Sequence, residues 1–367
     1  MDAKLRQTPL HASHVRLGAR MVGFAGWDMP VQYAGVIAEH NAVRDSAGVF
    51  DVSHMGEITI SGPDVAAYLN RLLSNDVTRL RKGRSHYTLI CNEAGGVLDD
   101  AILYRLDENE YLLVVNAANA DADWDWLRAQ TGHLNPTLTN ASDSYCLLAV
   151  QGPRAEELLD PATGLDLAKL RRTRIRRTTV FGHDVLIGRT GYTGEDGVEI
   201  FASPEDAMTI WEAILALGVA PAGLGARNTL RLEAGMALHG HELGLDINPI
   251  EAGLAGVVAM KKGPFIGRDA LTKVVEAGPT RRLRGLTLTE RAVPRDGHPV
   301  TTTHGPGVIT SGTFSPTLET GIAMAFVPAA CEIGDAVAVN IRDRDRGATL
   351  VDMPFFSNVT RRRAKSK

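Results

Sequence analysis

The sequence predicts an α+β protein that ends in a small β-barrel. Two observations support this fold class: helical and strand patterns mix through the first three quarters of the chain, and short strands dominate after Gly278. The 367 residues exceed one small core, and the 44% hydrophobic and 22% charged content is ordinary for a soluble globular protein.

The first 130 residues predict three helices and four strands. Apolar residues at helical spacing define the helices, and Gly-containing turns separate the last three strands, which form an antiparallel meander. In order, the elements are a helix at 36–46 with one face formed by Val36, Ile37, His40 and Val43, a strand at 57–61, a helix that opens at Pro63 and runs to Leu72, strands at 86–91, 97–105 and 111–116, and a helix at 119–130.

The rest of the sequence predicts further alternation of strands and helices, followed by a separate barrel. Strands are expected at 145–150, 183–188 and 198–202, and Ser203-Pro204 caps a helix that runs to Leu217, followed by a helix at 225–238. Strands at 283–288, 308–311, 321–326 and 336–341 follow Gly278-Pro279. We therefore expect a first region at 1–278 and a C-terminal β-barrel domain at 279–367.

Charge and composition exclude several classes of protein. A net charge of −4 leaves no general positive field for nucleic acid. No apolar run approaches the roughly 18 residues of a membrane span. Three scattered cysteines argue against disulfides and zinc, and the N-terminus lacks the apolar stretch of a secretion signal. These features favour a bacterial cytoplasm over a mature mitochondrial protein.

The turn Ala94–Gly96 leads into a strand with two adjacent acids, Asp99 and Asp100. Neighbouring strand residues point to opposite faces, so one acid alone can serve a given site. Asp100 shares its face with bulky, mostly apolar neighbours, which would desolvate it and prepare it for proton transfer. The alternative is that the pair merely ends a hairpin turn.

A second segment, Arg189–Glu199, contains three glycines, a tyrosine and three acids. Glycine allows close approach of the backbone to a ligand. Tyr192 can stack on a flat ring, and Glu199 can accept paired hydrogen bonds from an amidine-like edge. A plain β-hairpin turn is the alternative interpretation.

Further along, Gly223-x-Gly225 fails as a dinucleotide loop because Asn228 occupies the third glycine position. Arg227 is a reasonable carboxylate clamp or an ordinary surface arginine. His239 and His241 lack a metal-site spacing, so we expect no metal.

Taken together, the motifs resemble the T-protein of the glycine cleavage system, an aminomethyltransferase family. The resemblance extends from about Thr8 to Phe356. The matching segments, in chain order, are Thr8–Leu10, Phe24–Tyr33, Phe50–Gly56, Gly95–Asp100, Val115–Asn119, Gln151–Pro153, Arg189–Glu199, Ala222–Arg227, Arg231–Ala234, Thr310–Gly312 and Phe314–Leu318.

The resemblance implies three lobes arranged as a cloverleaf around a central folate cavity, with two interleaved α+β lobes in 1–278. It also implies a reaction. A lipoyl group on the partner H-protein carries an aminomethyl unit, and the enzyme transfers the one-carbon unit to tetrahydrofolate. The products are 5,10-methylenetetrahydrofolate, ammonia and the dihydrolipoyl carrier.

The same resemblance implies roles for individual residues. Asp100 matches the family's catalytic aspartate, which the alternation of the strand also singled out, and Glu199 would bind the amino-pyrimidine edge of the pterin. Arg227, with help from Arg362, would clamp the anionic glutamyl tail. The ring pocket would be lined by Met55, Tyr87, Asn116 and Tyr192.

Two departures from the family pattern concern the folate pocket. Ala255-Gly256 stands where many relatives have a tryptophan, and Thr360 stands where some have a tyrosine. Two other functions remain open. One is a tetrahydrofolate-dependent demethylase of a small amine or sulfonium compound, and the other is a non-catalytic folate-binding protein.

A dense basic run occurs at 171–177. H-proteins are typically acidic, so this run is a candidate docking surface for the carrier. A solvated strand edge is the alternative. The run consists of Arg171, Arg172, Arg174, Arg176 and Arg177.

Overall fold

The computed structural model describes residues 4–357 and has the mixed helix and strand content of the predicted α+β class. The α-helices in this range are α1 (His11–Arg16), α2 (Val36–Asp45), α3 (Val65–Leu72), α4 (Ala120–Ala129), α5 (Ala155–Leu159), α6 (Pro204–Ala216), α7 (Leu224–Glu233) and α8 (Arg268–Ala277).

The strands in the same range form one two-stranded sheet, two larger sheets and a barrel. They are β1 (Arg20–Phe24), β2 (Trp27–Gln32), β3 (Gly48–Asp51), β4 (Gly56–Ser61), β5 (Arg84–Cys91), β6 (Val97–Asp107), β7 (Glu110–Val115), β8 (Thr137–Asn140), β9 (Cys146–Gln151), β10 (Ile175–Val180), β11 (His183–Gly188), β12 (Gly197–Ala202), β13 (Ala220–Pro221), β14 (Arg281–Leu288), β15 (Pro299–Thr302), β16 (Gly305–Ser315), β17 (Thr320–Pro328), β18 (Ala336–Ile341) and β19 (Arg344–Val351).

The described chain divides into two compact units. The first contains residues 4–88, 100–191 and 195–227, and the second contains 89–99, 192–194 and 228–357. Each unit is therefore assembled from segments that are distant in sequence.

A six-stranded sheet forms the main core of the first unit, in the order β10-β11-β12-β9-β3-β13. All six residues of β9 are buried, as expected for a strand covered on both faces. The helix α6 packs its fully buried Trp211 into the same cluster as Leu148 and Ile200. Ser203 caps this helix as predicted, because its side chain accepts from the backbone N–H of Asp206.

A five-stranded sheet in the order β5-β6-β7-β4-β8 contains the predicted meander. Its register aligns Ile102 of β6 with Val114 of β7, and Val114 with Glu57 of β4. Directly opposed residues of antiparallel strands share a face, so these three side chains lie on one side of the sheet.

The second unit contains a closed six-stranded barrel, β14-β17-β16-β15-β18-β19. The predicted barrel is confirmed, and β15 and β19 complete the four strands expected from sequence. Its interior is apolar, and the buried residues include Leu286, Ile309, Ala325, Val339 and Leu350.

Helix α7 is shorter than the predicted 225–238 helix and ends at Glu233. Gly235 has a φ of 68°, a left-handed conformation that stops helices and that glycine adopts at little cost. The helical spacing of apolar residues continues past Gly235 in the sequence, but the helical backbone conformation does not.

Helix α2 is confirmed, but its buried face differs from the prediction. Ile37 is 54% exposed, whereas Glu39 is 2% exposed. The carboxylate of Glu39 accepts backbone N–H groups from Tyr33 at 2.6 Å, Gly35 at 3.0 Å and Gly223 at 2.8 Å. These bonds satisfy the buried charge and rotate the helix away from the face that hydrophobicity alone predicts.

Across residues 4–357, none of the helices combines the length and apolar character needed to span a bilayer.

Candidate active site

The adjacent acids Asp99 and Asp100 are the third and fourth residues of β6 and point to opposite faces, as the alternation predicts. Asp99 is fully buried, whereas Asp100 is only half-buried. Asp100 is therefore less desolvated than the sequence predicts. The interior residues Val97 and Leu103 lie on the face of Asp99 instead. Asp100 instead keeps the accessibility that contact with a ligand requires.

Two side chains of the first unit orient the Asp100 carboxyl group. The Tyr87 hydroxyl of β5 donates to its Oδ2 at 2.9 Å. The Asn116 amide, which follows β7, donates to its Oδ1 at 2.8 Å and to its backbone oxygen at 3.1 Å. Neighbouring strands and the end of the meander thus bring three of the predicted site residues into direct contact.

The turn before β6 explains the paired glycines of the motif. The backbone N–H of Gly96 donates to Asn92 Oδ1 at 2.9 Å. A Cβ atom at Gly96 would lie 1.7 Å from the carbonyl oxygen of Leu245, and Gly95 has a φ of 85°. Larger residues at either position would displace the turn from which β6, and hence Asp100, begins.

Glu199 lies on β12 and belongs to a polar cluster of the first unit. Its Oε2 accepts a hydrogen bond from Thr190 Oγ1 and another from the Tyr104 hydroxyl at 3.3 Å. Tyr104 lies four residues beyond Asp100 on the same face of β6, a Cα separation of about 13 Å along a strand. Burial and the neighbouring Glu199 raise the pKa of Tyr104 well above its usual range, so its hydroxyl stays protonated and can donate.

Glu57 belongs to this region although the sequence did not indicate it. It is 1% exposed, and the register places it on the sheet face of Ile102, between Asp100 and Tyr104 along β6. Burial first, and then the charge of Glu199, raise the pKa of Glu57 well above its usual range. The alternation Glu57-Thr59-Ser61 resembles a solvent-exposed polar face, and for that reason pattern analysis missed a buried acid.

The motif Phe50–Gly56 forms a buried polar centre rather than a surface loop. Asp51 accepts from Thr8 at 2.6 Å, from His14 at 2.8 Å and from the Ser53 hydroxyl at 2.5 Å. Burial alone would raise the pKa of Asp51, but these hydrogen bonds outweigh it and the pKa is lowered. The network connects α1 to the end of β3.

Arg227 lies on α7 close to the buried ring of His54. Burial, assisted by the Arg227 charge and opposed by Asp51, lowers the pKa of His54 to about 4, so the imidazole is neutral at physiological pH. Met55 is half-buried and follows His54 directly. The predicted tail clamp and the predicted ring contact thus lie at one end of β4.

The other predicted residues are placed separately. Tyr192 belongs to the second unit, where its half-buried hydroxyl group donates to the carbonyl oxygen of Ala237. Arg362 and Thr360 lie outside the described residues. Ala255 and Gly256 are exposed in a 3₁₀ turn.

The histidines beside Glu242 bind backbone carbonyls. His239 Nε2 contacts the oxygen of Val97 at 3.2 Å, and His241 Nδ1 contacts that of Thr310 at 2.8 Å. Glu242 forms a buried ion pair with Arg231 at 3.2 Å.

A second basic segment joins the predicted basic run. The backbone N–H of Ser85 donates to the oxygen of Thr173 at 2.7 Å, and the N–H of Ile175 donates to that of Gly83 at 3.1 Å. The chief cause of a lowered pKa of Arg174 is the charge of Arg84. We call this patch the basic surface; it comprises Arg79, Arg81, Lys82, Arg84, Arg171, Arg172, Arg174, Arg176 and Arg177.

Together these observations define a mixed α+β protein with a C-terminal six-stranded barrel and a polar site centred on a half-exposed carboxyl group. Residues 10–262 match the family model described as the GCVT N-terminal domain, and residues 281–357 match the glycine cleavage T-protein C-terminal barrel domain. The chain belongs to the glycine cleavage T-protein family.

Relatives of known name cover almost the whole chain. It is 49% identical to an aminomethyltransferase of Symbiobacterium thermophilum, over 99% of this chain and 100% of the relative. It is 48% identical to an aminomethyltransferase of Deinococcus deserti, over 97% and 98%. The crystal structure of glycine cleavage system aminomethyltransferase T from Bartonella henselae superimposes with a TM-score of 0.91 at 37% identity, over 96% of this chain and 98% of that one.

Proposed function

We propose that this enzyme transfers the one-carbon unit of an aminomethyl-lipoyl H-protein to tetrahydrofolate. The products are 5,10-methylenetetrahydrofolate, ammonia and the dihydrolipoyl carrier. Family membership and relatives named aminomethyltransferase support the reaction class. The bacterial sources of these relatives favour the bacterial cytoplasm as its location.

The observation that carries the proposal is the Asp100 carboxyl group, held by Tyr87 and Asn116 at 2.9 and 2.8 Å while still half-exposed. An oriented, accessible carboxyl group can exchange a proton with a folate nitrogen as that nitrogen attacks the one-carbon unit. As a carboxylate it also stabilises the cationic, iminium-like carbon that forms when ammonia leaves. Asp100 is therefore the proposed catalytic residue.

The Glu199 cluster suits the amino-pyrimidine edge of tetrahydrofolate. Both hydrogen bonds to this carboxyl group within the described residues engage Oε2, which leaves Oε1 for N–H donors of a ligand. Thr190 and Tyr104 hold the group in one orientation, so little conformational freedom is lost on binding. Met55 is proposed to contact the flat ring, and Tyr192 of the second unit keeps the ring-contact role that the family resemblance implies.

Arg227, with Arg362, is proposed to bind the anionic glutamyl tail. Its guanidinium group lies beside a neutral imidazole, that of His54, rather than beside a second cation. A planar guanidinium group binds carboxylates in bidentate fashion.

The basic surface is the proposed docking site for an acidic carrier. Three of its nine basic residues form ion pairs with described acids, namely Arg79 with Asp76, Lys82 with Asp107 and Arg177 with Glu110. The cluster therefore keeps a positive field on a chain of net charge −4, which would accelerate association with an acidic protein. Reversing two of these charges should raise the KM for the carrier, and an unchanged KM would exclude a docking role.

The decisive experiment measures 5,10-methylenetetrahydrofolate from an aminomethylated lipoyl H-protein, with and without the enzyme. We expect product that depends on both folate and carrier, with stoichiometric ammonia. Tight folate binding without turnover would contradict the proposal. A screen of methylated amines and sulfonium compounds would then distinguish a demethylase from a folate-binding protein.

A further inference from the structure

Glu57 occupies the same sheet face as the proposed catalytic residue. Glu57 opposes Val114, and Val114 opposes Ile102, which stands between Asp100 and Tyr104 on β6. Two strand spacings of about 4.8 Å separate Glu57 from β6. The face thus presents a second carboxyl group that none of the proposed catalytic steps uses.

The buried carboxyl group of Glu57 lacks the hydrogen-bond donors that a buried acid usually has. Both carboxyl oxygens are buried, and no described residue donates a hydrogen bond to either. The titratable groups around it are Glu199, Tyr104, Tyr145 and Cys146, none of which is basic. An ionised carboxylate in these surroundings would carry the full cost of desolvation without compensation.

Glu199, a charged neighbour of Glu57, differs from it in its hydrogen bonding. Thr190 and Tyr104 both donate hydrogen bonds to the Glu199 carboxyl group, whereas Glu57 receives none from the described residues. Two nearby carboxyl groups with unequal support resolve into one ionised and one neutral group. Burial and the Glu199 charge act in the same direction on the pKa of Glu57, raising it.

We infer that Glu57 is a positioning residue of the proposed pterin site, where it remains an uncharged carboxylic acid and leaves Glu199 as the anion of this pair that receives the amino-pyrimidine edge. This inference rests on the proposed function of Glu199. It also predicts an alkaline limit. A neutral ring bound against Glu199 excludes water from both groups and favours the protonated form of Glu57 further. Above the pKa of Glu57 in the free protein, binding must therefore take up a proton.

The test is the pH dependence of tetrahydrofolate binding to the full chain. Binding is measured from pH 6 to pH 10 by intrinsic protein fluorescence, under anaerobic conditions. For the unmodified protein, Kd should be constant at low pH and then rise by up to tenfold per pH unit. Glu57→Gln and Glu57→Leu should both remove this rise, because neither can ionise. Glu57→Asp should keep the rise, and so should the matched control Glu108→Gln, since Glu108 lies in the exposed turn between β6 and β7.

A merely structural role would lower the thermal midpoint of the variants without changing the shape of the binding curve. An alkaline rise of equal size in the unmodified protein and in Glu57→Gln would overturn the inference. So would a tenfold loss of affinity in Glu57→Gln at pH 6, which would assign Glu57 a direct ionic contact.

A second measurement separates this inference from the proposed function. Infrared difference spectra of unmodified protein minus Glu57→Gln at pH 7 should contain the carbonyl band of a neutral carboxylic acid, with no ligand present. Absence of that band would refute an uncharged Glu57 whatever the protein binds. Presence of the band together with no affinity for tetrahydrofolate would refute the pterin site while leaving the protonation state of Glu57 established.

Discussion

Replacing Asp100 with asparagine separates the chemistry of the carboxyl group from its geometry. The asparagine oxygen can still accept from Asn116, which now donates at 2.8 Å. The new amide nitrogen takes the place of Oδ2, and the Tyr87 hydroxyl can turn to accept from it instead of donating at 2.9 Å. Because both contacts survive and the position is half-exposed, we expect the free energy of unfolding to change by less than about 1 kcal/mol.

The expected loss is catalytic. Asparagine can neither exchange a proton at neutral pH nor stabilise a cationic carbon by charge. General acid–base catalysis contributes roughly 10²–10⁴-fold in rate. That factor corresponds to about 2.7–5.5 kcal/mol of transition-state stabilisation. We therefore expect kcat to fall by about this factor while the Kd for tetrahydrofolate changes less than about threefold.

The assay follows 5,10-methylenetetrahydrofolate formation at saturating folate and carrier. Leu98→Ala is the matched control, since Leu98 lies two residues away on the same face of β6 and lacks a functional group. It should keep turnover within a few-fold of normal. Near-normal turnover of Asp100→Asn with folate bound would refute the proposed role of Asp100.

Three further substitutions, with Gly26→Ala as a control for one of them, test other parts of the structure. Arg227→Ala should raise the Kd for tetrahydrofolate more than it lowers saturated turnover, and equal affinity in a fluorescence titration would remove the tail assignment. Gly96→Ala should cost at least about 2 kcal/mol in urea denaturation, because its Cβ would meet a carbonyl oxygen at 1.7 Å. Gly26→Ala, with a φ of 81° and no atom within 4 Å, should cost only about 1 kcal/mol, and comparable losses would contradict the clash. Glu57→Gln should change how stability depends on pH. The folded protein holds a proton that the unfolded chain releases above its ordinary pKa of 4.5, so stability falls with rising pH by up to about 1.4 kcal/mol per unit until the raised pKa is reached. The variant should lose this slope in denaturation between pH 5 and pH 8, and an unchanged slope would mean that Glu57 is ionised.

Sequence patterns predicted the parts of the fold that are determined by residues close together in the chain. The meander, the capped helix α6 and the barrel strands follow from period-two alternation, turn residues and an N-cap, each of which acts within a few residues. The alternation also placed Asp99 and Asp100 on opposite faces. The apolar neighbours of Asp100 predicted that Asp100 would be the desolvated acid, but Asp99 is the buried one.

The errors have a common physical origin in contacts between residues that are distant in sequence. Glu39 is buried because backbone N–H groups as distant as that of Gly223 converge on its carboxylate. Glu57 is buried because its face of the sheet lies against Glu199 and Cys146, which come from strands of the six-stranded sheet. Composition and spacing assign both acids to solvent, since the groups that surround them are far away in sequence.

The register of the five-stranded sheet, more than any loop, sets the geometry of the site. Asp100, Ile102 and Tyr104 share one face because they alternate along a single regular stretch of β6. The irregularity in the pairing with β7 falls between Arg105 and Asp107, just beyond this stretch. A slip of one residue upstream would exchange Asp100 for Asp99 on the ligand face and would remove the hydroxyl group that orients Glu199. The constraint at Gly96, where a Cβ would strike a backbone carbonyl, therefore protects the chemistry as well as the turn, because it determines where β6 begins.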